Sequence, residues 1–166
     1  GTTRDRLFGT LRWQGRPLTL IDAGGIELKT TQGLPEAIQR HVQHALRDAD
    51  ALLLICDAQD GWLPADALIL ERLRTFNKPI WVAVNKLDDR LNVPADFFSL
   101  GVEDILPVSA LHGRGTGDLL DRLVGQFATP SSSLAPEPTT SLAIVGRQNV
   151  GKSSLINALA REERVI

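Results

Sequence analysis

The sequence predicts an α/β fold, a mostly parallel six-stranded sheet in a three-layer arrangement with helices on both faces. Three observations predict it. The runs Ala51–Cys56, Ile80–Val84 and Leu142–Val145 are apolar without polar alternation, as in strands covered on both sides. Stretches of helical periodicity separate such runs, and strands alternating with helices signal parallel crossover units. Polar loops follow the strands that end at Ile21, Val84, Val108 and Val145, and ligands of an open parallel sheet bind at that carboxyl edge.

Taken in order, residues 6–14 alternate in part (Leu7, Gly9, Leu11, Trp13), Gly15 turns the chain, and Pro17–Ile21 returns as the second arm of a hairpin. A loop rich in Thr, Gln and Gly leads to a helix over Pro35–Asp48, with proline in its first turn and Ile38, Val42, Ala45 and Leu46 as its apolar stripe. Ala51–Cys56 is a buried strand ending in Asp57. Pro64–Phe76 is a second helix, and Ile80–Val84 a strand that stops at Asn85-Lys86-Leu87-Asp88. A loop and short helix fill residues 89–100, and Asp104–Val108 is a short strand. Helix Asp118–Phe127 turns Leu119, Leu120, Leu123 and Val124 inward. Residues 129–140, prolines among serines and threonines, form a linker. It divides the chain into a part at 1–128 and a part at 141–166. Strand, glycine loop and a helix over Ser154–Arg161 close the chain.

Bulk composition narrows the function class. The 166 residues suffice for one hydrophobic core. A net charge of −2 advertises neither nucleic acid nor an anionic membrane. No apolar run is long enough to cross a bilayer, so no membrane partner is expected. The single cysteine, Cys56, cannot form an internal disulfide and reads as a buried core thiol in a cytoplasmic protein. His41 and His44 lie three apart on a helix with no third ligand in sight and read as solvated.

The chemistry concentrates in Gly146-Arg147-Gln148-Asn149-Val150-Gly151-Lys152-Ser153-Ser154, which fits G-x-x-x-x-G-K-[ST] between a strand and a helix. The glycines let backbone N–H groups of Asn149, Val150, Gly151 and the following residues turn toward phosphate oxygens, and the helix N-terminus adds partial positive charge. Lys152 would reach the β- and γ-phosphates and Ser153 would hold Mg²⁺.

The other strand-end loops give the chain a resemblance to the P-loop GTPases. Asn85-Lys86-Leu87-Asp88 matches the N-K-x-D motif. The resemblance implies that Asp88 accepts from guanine N1–H and N2–H, that Asn85 reaches the N7/O6 side and that the stem of Lys86 covers the ring. Ser109-Ala110, followed by Leu111, matches the partner motif that offers guanine O6 a backbone N–H. Asp22-Ala23-Gly24-Gly25 matches D-x-x-G. It implies that Asp22 acts on Mg²⁺ through water and that the Gly25 N–H meets the γ-phosphate, a contact whose loss releases a switch loop. Thr3 matches the switch threonine that closes over Mg²⁺, with Thr2 as the alternative.

The runs Gly1–Asp5, Ile21–Glu27, Val84–Asp88, Phe97–Gly101 and Ser109–Asp121 resemble the first G domain of the Der (EngA) family, and Gly146–Leu159 and Glu162–Ile166 resemble the start of its second. That resemblance implies GTP hydrolysis linked to large ribosomal subunit assembly, by proteins with tandem G domains and a KH-like domain. The chain departs from the family pattern at Gln148 and Ala23. Ile26 stands where Ras-like enzymes carry a water-orienting glutamine. The resemblance then implies slow, K⁺-stimulated hydrolysis with Asn149 at the cation.

Each motif occurs once, in a cyclic order cut between the helix after the phosphate loop and the threonine. A segment running from one tandem domain into the next would have this order, and so would a circular permutant. Either way, the terminal strand is expected to fill the centre of the sheet, in one compact domain or by exchange between two chains as a swapped dimer. With the first switch interrupted, binding of GTP or GDP should survive better than turnover, so a nucleotide-holding module stands as the alternative to a GTPase.

Overall fold

The computed structural model describes residues 8–23, 36–89, 91–127 and 139–162. Strands β1 (Phe8–Trp13) and β2 (Arg16–Asp22) form an antiparallel hairpin. Its two turn residues, Gln14 and Gly15, both have positive φ, 50° and 81°, the turn whose twist matches that of the flanking strands. Helix α1 (Glu36–Asp48) precedes β3 (Ala51–Asp57), α2 (Pro64–Arg74), β4 (Ile80–Asn85) and a 3₁₀ turn at Ala95–Leu100. Strand β5 (Ile105–Pro107), helix α3 (Thr116–Gln126), β6 (Thr140–Gly146) and α4 (Lys152–Glu162) follow.

The sheet order is β1-β2-β6-β3-β4-β5. All neighbours except the hairpin pair in parallel. The last strand in sequence therefore lies between β2 and β3. Its entry is fixed by a reciprocal pair of bonds: Asp50 N donates to the Ser141 carbonyl at 2.8 Å and Ser141 N donates to Asp50 Oδ2 at 2.7 Å.

Period-two alternation sorts the strand residues between two cores. Leu53, Ile55, Trp81, Ala83, Leu142 and Ile144 face α3 and α4. Leu52, Leu54, Cys56, Val82, Val84, Ala143 and Val145 face α1 and α2. Both faces are apolar because both are covered, which is why these strands lack polar alternation in the sequence. Cys56 is fully buried, and burial pushes its thiol pKa well up.

Element ends differ from the sequence expectation by a few residues. Helix α2 stops at Arg74 rather than Phe76 because Thr75, Phe76 and Asn77 donate three residues back, tightening the last turn. Helix α3 begins two residues early, where Thr116 Oγ1 donates to the Gly113 carbonyl. The preceding Gly115 has φ +72°, and a Cβ there would meet the Pro107 carbonyl oxygen at 2.2 Å. Helix α4 begins at Lys152 itself, with Leu155 N donating to Gly151 O.

Candidate functional site

In a parallel sheet the strand ends share one edge, and the register shows which residues meet there. Asp57 stands opposite Asn85, Ile55 opposite Gly146, and Asp22 opposite Ile144. The end of β5 leads through Val108, whose N–H donates to Val84 O at 2.9 Å, into Ser109 and Ala110. Residues remote in sequence thus reach one site: Asp22, Asn85 to Asp88, Ser109 to Leu111, and the loop 146–153. Thr3 and Gly25 lie outside the described residues, as does Ile26.

The loop after β6 has the backbone that its glycines suggest. Gly151 has φ +96°, and a Cβ on it would sit 2.3 Å from Asn85 Nδ2. A Cβ on Gly146 would sit 2.5 Å from the Ile55 carbonyl oxygen, so that residue is bare because β3 is in contact. Asn149 is exposed and left-handed at φ +62°, a conformation that Asn tolerates better than most residues. Ser153 and Ser154 open helix α4 and are exposed. Lys152 folds back over the loop, donating to the Gly146 carbonyl at 3.0 Å and the Arg147 carbonyl at 2.6 Å. Burial lowers its pKa, and the negative charge of Asp22 partly opposes that shift.

Asn85 joins three loops. It is 2% exposed. Its Nδ2 donates to the Val150 carbonyl at 2.8 Å, and its Oδ1 accepts from Ala110 N–H at 2.9 Å. Asp88 is set by the adjoining loop: Ser109 Oγ donates to its Oδ1 at 2.5 Å, leaving Oδ2 as its second acceptor. Arg114 closes the back, donating to the Asp88 carbonyl at 2.8 Å while its backbone bridges that of Ser109. Between these loops and α4 lies a cleft of about 660 Å³, lined by Asn85, Lys86, Asp88, Ala110, Leu111, Gly151 and Ser154 together with Asn157 and Arg161.

Three ion pairs at this edge, made by two cations, were not singled out from the sequence. Lys86 Nζ lies 2.5 Å from Oδ2 of Asp57, a side chain only 6% exposed. The position of Asp57, at the end of a buried parallel strand, was the available signal. Arg147 reaches from the loop to the start of α2, where Nε donates to the fully buried Asp66 at 2.8 Å and Nη2 to Asp60 at 3.1 Å. Nothing local in the sequence pairs residues 81 positions apart.

A family model described as 50S ribosome-binding GTPase matches residues 1–86 and 141–166. GTPase Der from Pelotomaculum thermopropionicum is 43% identical over 168 residues, covering 100% of this chain and 38% of that protein. GTPase Der from Symbiobacterium thermophilum is 45% identical over 173 residues, covering 100% and 36%. The chain thus spans under two-fifths of the length of these curated relatives. Among solved structures, YjeQ from Thermotoga maritima aligns over 68% of this chain and 38% of that one, at 21% identity and a TM-score of 0.47. Among the described residues no helix is long and apolar enough to cross a membrane.

Proposed function

Because the chain belongs to the family of 50S ribosome-binding GTPases and is Der-like along its whole length, we propose that it binds a guanine nucleotide at this sheet edge and hydrolyses GTP there. The observation that carries the proposal is the bonding of Asn85 to both Val150 and Ala110. One buried side chain thereby holds the base loops and the phosphate loop in a single arrangement.

In this reading the base enters the cleft. Asp88 accepts from guanine N1–H and N2–H, the Lys86 stem lies along the ring, and the Ala110 segment offers backbone N–H groups near O6. The phosphates lie on the N–H groups of residues 149–154, with Lys152 leaving its carbonyl partners for phosphate oxygens. That exchange is favourable because a half-buried ammonium gains more from an anion than from neutral carbonyls.

Mg²⁺ suits the residues present. The charge of Asp22 is close enough to act on Lys152, and Ser153 follows that lysine, so a carboxylate and a hydroxyl flank the phosphate position as hard oxygen donors. Ser153 and Asp22, with Thr3, would hold the ion, which would neutralise charge developing on the phosphoryl oxygens. Gly25 would contact the γ-phosphate and Asn149 would hold an activating K⁺.

The alignments take in the whole chain, which supports reading residues 1–128 as the larger part of one G domain, 129–140 as a linker and 141–166 as the start of the next. Here the later segment supplies the central strand of the sheet and with it the phosphate loop of the site. Exchange of that segment between two copies would use the same contacts, and light scattering separates the two arrangements. Action on the large ribosomal subunit is proposed on the family's description, and a cytoplasmic location with it.

Titration with a fluorescent GDP analogue, beside single-turnover GTP hydrolysis in K⁺ and in Na⁺, tests the reading. Submicromolar GDP binding with faster turnover in K⁺ is expected, on the order of 10⁻⁷ M or tighter. Absence of GDP binding overturns the site. Binding without turnover leaves a nucleotide-holding module.

A further inference from the structure

Lys86 is unusual in two ways. Its backbone is left-handed at φ +69°, and its ammonium is held by Asp57, a carboxylate on the neighbouring strand buried to 4% exposure as a residue. Asp57 is itself fixed, because its Oδ1 accepts from Gln59 N–H at 2.9 Å and its position in β3 is in register with Asn85. The backbone closes the same corner, with Ala58 N donating to Asn85 O at 2.9 Å.

We propose that Asp57 is a positioning residue for recognition of the base: it anchors the far end of Lys86 so that the stem forms a standing wall of the cleft. The inference rests on the guanine-nucleotide reading of that cleft. A lysine held only at its backbone keeps the rotamer freedom of its long flexible stem, which binding would have to remove. The anchor removes it beforehand, and preorganisation of this kind appears directly as affinity. Asp57 has a second effect. Asp88 is two residues from Lys86 and is the carboxylate that would meet the base N–H groups. By pairing with the ammonium, Asp57 keeps it from neutralising Asp88.

Asp57→Asn tests this in the whole chain, since the amide keeps the shape and the Gln59 bond and removes the charge. The probes are fluorescent GDP and, by competition, inorganic pyrophosphate with Mg²⁺, which occupies the phosphate loop without a base. GDP affinity is expected to fall about tenfold with pyrophosphate competition unchanged. Lys86→Met, which keeps the stem and removes the ammonium, should weaken GDP to the same extent, and the double variant no further, as partners in one interaction do. Equal GDP affinity in Asp57→Asn and the parent overturns the inference, as does parallel loss of GDP and pyrophosphate. Should Asp57→Asn fail to fold, Lys86→Met with unchanged GDP affinity overturns it as well. Failure of the parent chain to bind GDP overturns the site reading instead.

Discussion

Asn85 and Val150, 65 residues apart, are joined by a 2.8 Å bond from the Asn85 amide to the Val150 carbonyl. The same side chain accepts from Ala110 N–H. Asn85→Ala strands two buried backbone groups, each costing about 1–3 kcal/mol when unsatisfied. Urea denaturation should show a loss of roughly 2 kcal/mol or more, and GDP titration a weaker site. Unchanged stability would mean that the two loops hold without the bond.

Gly151 is the other side of that contact. Gly151→Ala places a methyl 2.3 Å from Asn85 Nδ2 at a φ of +96°. Strain at such positions is about 1–3 kcal/mol, and it falls on the loop that would cradle phosphate. Calorimetry should find nucleotide affinity at least about tenfold lower, and lower for pyrophosphate as well as GDP.

Lys152 gives the site a pH dependence. Burial lowers its pKa from the ordinary 10.5, so the ammonium loses its proton at a pH where a solvated lysine keeps it. The charged form is the one that attracts phosphate. GDP affinity should therefore decline on the alkaline side, beginning below the ordinary lysine value. Lys152→Ala should lose binding at every pH, and a flat profile in the parent chain would remove Lys152 from the phosphate contact.

Arg147 and Asp66 form a pair in which one partner is fully buried. Arg147→Ala leaves that carboxylate unpaired, and breaking a buried pair costs about 3–5 kcal/mol. Asp60 is half exposed and shares the same arginine, so Asp60→Ala should cost less than about 1 kcal/mol. Thermal melts of the two variants, side by side, check the difference.

Ser109 Oγ donates to one oxygen of Asp88, and in the proposed site the carboxylate accepts from guanine N1–H and N2–H. Asp88→Asn replaces an acceptor pair by an acceptor and a donor, so preference for guanine over xanthine nucleotides should fall or reverse. Competition titrations with GDP and XDP measure it.

Much of the molecule is legible in the sequence because its signals are local. Continuous apolar runs state that β3, β4 and β6 are covered on both faces. Helical periodicity places α1 to α4 to within a few residues. The glycines of the phosphate loop announce a backbone that a Cβ would block. What the sequence by itself determined is therefore the element inventory, the α/β class and the types of residue at the strand ends. The tertiary structure decided what those residues touch. The cyclic order of the motifs already led us to expect β6 at the centre of the sheet; the bonds that seat it between β2 and β3, such as that of Asp50 to Ser141, 91 positions apart, were not legible, because no periodicity within either segment encodes a partner at that distance. The pairs Asp57–Lys86 and Arg147–Asp66 were hidden for the same reason. An ion pair needs two side chains brought within about 4 Å, and only the assembled sheet, with its parallel strand ends on one edge, does that.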